Sequence, residues 1–263
     1  MTHPNDAAPP FGPDSMMWRI NRERVVLLGG AAAAVLQAAH PVVAAGVAKH
    51  SRFRTDPTSR LRHTLEAVYA VAFGGAAAAE AVRRHVANAH NKVQGPSYSA
   101  NDPNAQLWVL ATLIMCSVTQ YERFVGPLTE TERDRFLEEN AHFGEYFGLD
   151  SRHLPQPWTA FQEYWSTMID GDFLGQDPLC GEVARAVIRP DAPRHMRWLA
   201  PVTRALVLEY IPEPLRKRLG LKNSRLRRPF WKCLDRAVPS ILRQAPKRIR
   251  YPSSYLHAIA QFP

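Results

Sequence analysis

Acid is almost missing from one long stretch of this chain. Between Arg216 and Arg250 there are 13 Lys and Arg and a single acid, Asp235. The remainder carries 20 basic against 23 acidic residues, so the whole net charge of +9 arises in that segment. Such a patch suits an anionic partner, with a solvated helix face as the plainer alternative. Cysteine is scarce as well. Cys116, Cys180 and Cys233 are widely spaced and form neither a C-x-x-C pair nor a cysteine–histidine cluster of zinc spacing. A disulfide framework and a zinc-ribbon module are thereby excluded. The opening "MTHPNDAAPPFGPDS" has acids and prolines where a secretory signal needs a basic start and an apolar run. A cytoplasmic location is expected, with residues 1–15 as a disordered N-terminal segment.

Alternating strand patterns are also lacking. An uncharged run does exist, "VVLLGGAAAAVLQAAHPVVAAGVA" from Val25 to Ala48. It is rich in alanine, contains Gln37 and His40 and is broken by Pro41, which favours a buried core helix over a membrane span. Its glycine pair lacks the third glycine of a dinucleotide-binding turn. What the chain has in quantity is helix punctuation. Asp56-Pro57, Asp102-Pro103 and Asp177-Pro178 each set a side-chain acceptor before a first-turn proline, and Thr129 with Glu132 has capping-box spacing. Helices are predicted near 16–39, 57–73, 76–94, 103–125, 130–147, 158–170, 178–188, 193–210 and 224–245. The expectation is one all-α domain of about nine helices over residues 16–263, without repeats or a dividing linker.

Chemistry concentrates in the second and third of these helices. On the helix begun at Pro57, Arg60 and Thr64 lie four apart with His63 beside them, so all three share a face. The next helix carries His85 and His90. Counted from the Gly74-Gly75 turn at about 1.5 Å per residue, His63 and His90 stand at heights of roughly 17 and 23 Å, so they could flank one object. A flat cofactor with an axial imidazole and two carboxylates would use a histidine, an arginine and a hydroxyl in this way.

Four ordered segments carry a resemblance: "LLGGAAAAVLQAAHPVVAAGVAKHSRFRTDPTSRLRHT", "FGGAAAAEAVRRHVANAHNKVQG", "YSANDPNAQLWVLATL" and "YERFVGPLTETERDRF". Together they resemble the haem-dependent oxygenase family of latex-clearing protein and of the fungal ER-bound oxygenases of mycophenolic acid biosynthesis, over roughly residues 20 to 170. The resemblance implies an all-α fold around one haem b, whose iron is held by the histidine of a V-x-x-x-H-x-x-V-x-G pattern. Here that pattern is Val86, His90, Val93 and Gly95. The family's R-x-x-x-T element falls on Arg60 and Thr64, and His63 stands where rubber-cleaving members carry a lysine able to reach the iron. Thr112 matches a further family threonine, while Gln37 and His40 are expected either to line the haem pocket or to cap the bend at Pro41. Two departures stand out. Leu110 replaces a histidine common in the family, and no carboxylate lies between Pro41 and Thr55, where rubber-cleaving members place a glutamate base. Polyisoprene is therefore not the expected substrate. The implied activity is oxygenation of a small apolar metabolite, alkene-bearing or phenolic, with O2 or peroxide as oxidant and an electron donor where one is needed. The alternative is a non-catalytic haem sensor or carrier with His63 and His90 both on iron. Nucleic acid is not the expected partner, and a peripheral contact with an anionic membrane through residues 216–250 stays open.

Overall fold

Small side chains decide how the uncharged run is used. The computed structural model describes residues 9–50, 57–188, 200–222 and 227–262. After α1 (Met16–Asn21) the chain makes a 3-10 turn (Arg24–Gly29) and then α2 (Gly30–Ala38) and α3 (Pro41–His50). A Cβ on Gly29 would lie 3.1 Å from the Gln120 side chain and 3.2 Å from that of Cys116, so glycine lets this turn approach α6 (Pro103–Phe124) closely. Alanines continue the device. Ala32, Ala39 and Ala44 have no exposed surface, and α2 packs against both α6 and α9 (Pro178–Ile188). The run lacks charge because it is core. The axis turns by 104° between the 24–38 and 41–50 segments, and among the described residues no single helix is long and apolar enough to cross a membrane.

The one helix predicted near 16–39 is therefore three elements. Its first break, at Glu23, has a distant cause: the Glu23 carboxylate is buried and takes two 2.7 Å hydrogen bonds from Arg250. Its end before Pro41 is as expected, since proline's missing N–H and ring favour a fresh start there. Elsewhere local signals hold. Asp102 accepts from the Ala105 N–H at 2.8 Å, Asp177 from that of Leu179 at 2.8 Å, and Thr129 with Glu132 closes the full capping box. Asp56 lies outside the described residues, as does the 193–199 part of the helix predicted to end at 210.

The fold is all-α, with fourteen α-helices among the described residues against about nine expected. The additional ones come from the split of the first predicted helix into α1 and α2 and from four helices not predicted: α3, α11 (Glu213–Arg218), α13 (Lys247–Arg250) and α14 (Ser253–Ile259). A long pair, α4 (Pro57–Phe73) and α5 (Ala76–His90), forms a hairpin whose turn excludes any side chain at Gly74, since a Cβ there would sit 2.3 Å from the Ala70 carbonyl oxygen. The main core joins α1, α4, α6, α7 (Glu130–Glu145), α8 (Trp158–Asp170) and α14 around Trp18, Phe136 and Phe161. A second core centres on α2, with Leu36, Trp108, Cys180 and Leu208, the last on α10 (Ala200–Tyr210). A third, small cluster of Val25, Phe124 and Trp231 holds down α12 (Arg227–Gln244). Trp108, Tyr121, Phe124 and Phe143 are buried core residues. Phe11 is buried in the main core and Ser15 caps α1, so order reaches back at least to this point.

Candidate functional site

His90 is the last residue of α5, and the turn after it explains why the helix stops there. The His90 carbonyl accepts from the Val93 N–H at 2.9 Å, and the backbone then turns through an antiparallel pair, β1 (Gln94–Gly95) with β2 (Tyr98–Ser99). This turn replaces the last residues of the helix predicted to reach 94. Val93 packs on Gly46 of α3, where a Cβ would come within 3.4 Å of its methyl group. Gly95 is required by its neighbour: a Cβ there would lie 2.4 to 2.9 Å from the far edge of the Tyr98 ring. Tyr98 is buried, its hydroxyl is 2.8 Å from His50 Nε2, and the Lys49 ammonium sits 5.3 Å from its ring centroid. The valine and glycine after His90 thus fix the end of α5 against α3.

His90 itself is half-buried, and among the described residues its ring has no hydrogen-bond partner. Burial pushes its pKa below the ordinary histidine value. The neutral imidazole keeps a lone pair free, the form in which histidine binds a metal. Among the described residues no group of three or more His, Cys, Asp or Glu could hold a metal ion. A single imidazole suffices only where a metal brings most of its ligands with it.

Three other predicted residues gather at the α2–α3 bend. Gln37 donates from Nε2 to Thr112 Oγ1 at 3.1 Å, and that hydroxyl donates on to the Val109 carbonyl at 2.7 Å. Gln37 therefore ties α2 to α6 rather than capping the bend. Trp108 Nε1 reinforces the joint with a 2.7 Å bond to the Leu36 carbonyl. His40, 1% exposed, has both ring nitrogens covered and unpaired, with its ring 4.9 Å from that of Phe173. Desolvation holds its pKa below the usual range, and the charge of Asp102 opposes that only in part. A buried polar group without a partner costs about 1–3 kcal/mol, so two such nitrogens are a costly feature for a purely structural residue.

The first two turns of α4 bring the remaining candidates. His63 and Thr64 are both exposed, Thr64 makes an interaction, and no hydrogen bond joins His63 to His90. The Arg60 side chain lies outside the described residues. Leu110 is turned the other way. It is buried in the main core, where its Cδ2 would lie 2.9 Å from a Cβ on Gly144, two positions along α6 from both Trp108 and Thr112. A leucine there packs and leaves the Gln37–Thr112 side of α6 unchanged. Sequence reasoning missed Tyr98, His50 and Phe173; the signal for Tyr98 was a glycine three residues before an aromatic, and that glycine was read as part of the family pattern around His90.

Residues 17–241 match the family model described as ER-bound oxygenase mpaB/B'/Rubber oxygenase, catalytic domain. The "Uncharacterized protein Mb2261" of Mycobacterium bovis and the "Uncharacterized protein Rv2237" of Mycobacterium tuberculosis are each 29% identical to the chain over 190 residues. That stretch covers 70% of this chain and 64% of either relative, so the chain spans somewhat under two thirds of their length. No solved structure matches.

Proposed function

Because the chain belongs to the family of the ER-bound oxygenase mpaB and rubber oxygenase catalytic domains, we propose that it is a haem b-dependent oxygenase acting on a small apolar metabolite, alkene-bearing or phenolic. The observation that carries this reading is His90: a half-buried imidazole held neutral by burial, without a protein partner among the described residues, at the end of a helix braced by Val93, Gly95 and Tyr98. His90 would hold the iron, and haem would supply activation of O2 or peroxide, drawing on an electron donor where the reaction needs one.

The other residues have separate tasks in this reading. Arg60 would pair with a propionate, as a guanidinium does well with a carboxylate. Thr64 offers a hydroxyl donor on the same face of α4. Gln37 and Thr112 hold α2 and α6 together through their shared hydrogen bond. His40, with both ring nitrogens unpaired, would accept a hydrogen bond from a substrate hydroxyl or donate one from its N–H to a haem carboxylate. His63, exposed as it is, would reach iron only by moving.

The test is the haem content and absorption spectrum of the wild type and His90→Ala, as isolated, after dithionite and after carbon monoxide. The wild type should carry near-stoichiometric haem b that binds carbon monoxide when reduced, and the variant should lose most of it. Full haem content with an unaltered spectrum in His90→Ala would overturn the assignment. A wild-type spectrum that stays six-coordinate and low-spin, refuses carbon monoxide and changes in His63→Ala would favour the sensor or carrier.

A further inference from the structure

The basic segment is placed in a way the oxygenase reading does not use. Along α12, Arg228, Lys232, Arg236 and Arg243 are all exposed and recur at spacings of four, four and seven residues, which sets them in one stripe on the helix. The stripe runs for about 22 Å at 1.5 Å per residue. The opposite side of the helix is anchored: Trp231, Leu234, Val238 and Leu242 pack into the third core cluster. The segment's acid does not neutralise the stripe, because Asp235 is bound by Arg123 through two hydrogen bonds of 2.6 and 2.9 Å. Arg123 also stacks 4.0 Å over the Trp231 ring, so α12 is fixed to the body with its cations outward. Lys247 and Arg248, both exposed, continue the charge into α13.

Two features of the same segment select among anionic partners. Ile249 is 66% exposed, more than any other large apolar side chain among the described residues. Ile249 shares the single turn of α13 with Lys247 and Arg248. In contrast, the segment's aromatics are not available: Trp231 is buried and Phe230 packs beside it. Single-stranded nucleic acid is held by exposed aromatics that stack on bases. A bilayer surface instead takes cations at its headgroups and isolated aliphatic side chains at the acyl boundary.

We propose that α12 and α13 form a docking surface for an anionic lipid membrane, with Arg228, Lys232, Arg236, Arg243, Lys247 and Arg248 at the headgroups and Ile249 entering the interface. The contact is peripheral and reversible, and it stands whether or not the chain binds haem. Electrostatic attraction contributes about a fivefold change in partitioning for each Lys or Arg near such a surface. Cations that are exposed and unneutralised on one helix repel each other, and an anionic surface relieves that repulsion.

Cys233 provides a direct probe, because it is exposed beside Lys232 while Cys116 and Cys180 are buried. The full-length protein, labelled there with an environment-sensitive fluorophore, is mixed with vesicles of phosphatidylcholine alone or of phosphatidylcholine with phosphatidylglycerol. Sedimentation of unlabelled protein is measured in parallel. The expected result is a blue shift and co-sedimentation with the anionic vesicles only, both reversed by high salt. Arg236→Gln with Arg243→Gln, changes to a good helix former, should weaken partitioning about 30-fold. Ile249→Ser should weaken it while leaving the salt dependence intact. Equal binding to neutral vesicles, no binding to either at low salt, or binding to duplex DNA or RNA in preference to anionic vesicles would each overturn the proposal.

Discussion

Replacing Gly95 by alanine should damage the protein through Tyr98 alone. Gly95 does not adopt a left-handed backbone, so its φ sets no barrier to alanine. The obstacle is steric, a new methyl 2.4 Å from one carbon of the Tyr98 ring, 2.7 Å from the next and 2.9 Å from the hydroxyl. Forcing a methyl into such a space costs about 1–3 kcal/mol. The ring has to move off His50, whose Nε2 is 2.8 Å from the hydroxyl, and that adds about 1 kcal/mol for a lost hydrogen bond. Gly95→Ala should therefore destabilise by about 2–4 kcal/mol by these same increments. The assay is urea unfolding of wild type, Gly95→Ala, Tyr98→Ala and the double variant, since neighbouring residues couple in a double-mutant cycle. With the ring gone, the added methyl should cost at most about 0.5 kcal/mol. An equal cost in both backgrounds would refute the argument, as would a harmless single substitution.

Other consequences arise from buried polar groups. Arg250→Ala should destabilise by about 3 kcal/mol, because it strips both hydrogen bonds from a carboxylate on Glu23 that is 1% exposed and leaves it only Arg22, 3.9 Å away; Glu23→Gln made together with it should recover part of the loss in the same unfolding experiment. His40 gives the protein an acid-sensitive component. Its folded pKa lies below the ordinary 6.5, so the unfolded chain takes up the proton first. This contribution to stability is complete above pH 6.5 and is lost as the pH falls through that value toward the lowered one. Unfolding of His40→Asn should fall off less between those limits than that of the wild type, and identical pH profiles would remove His40 as the cause.

Local signals were legible in the sequence and long-range ones were not. The caps at Asp102, Asp177 and Thr129 act within three residues, and each appears as read. The helices at 57–73, 158–170 and 178–188 also match their expected bounds. The break at Glu23 was hidden because its cause, Arg250, is 227 residues away. The end of α5 at His90 was hidden because the turn depends on how Val93 meets Gly46 and Tyr98 meets Gly95. Leu110 looked like a loss from the site until its packing on Gly144 set it on another side of α6. Of the site residues, Gln37 and Thr112 are brought together and His90 and His40 have rings whose pKa burial lowers and that have no partner among the described residues, whereas Arg60, His63 and Thr64 rest on the family pattern.

Everything proposed about chemistry depends on iron at His90. The experiment to run first is therefore pyridine-haemochrome quantification of the purified wild type and His90→Ala, both expressed with adequate haem supply and checked for equal helicity by circular dichroism. Near-stoichiometric haem b in the wild type and its loss from an equally folded variant is the expected result. A wild-type protein that is well folded, purified under haem supply and empty of haem would contradict the account.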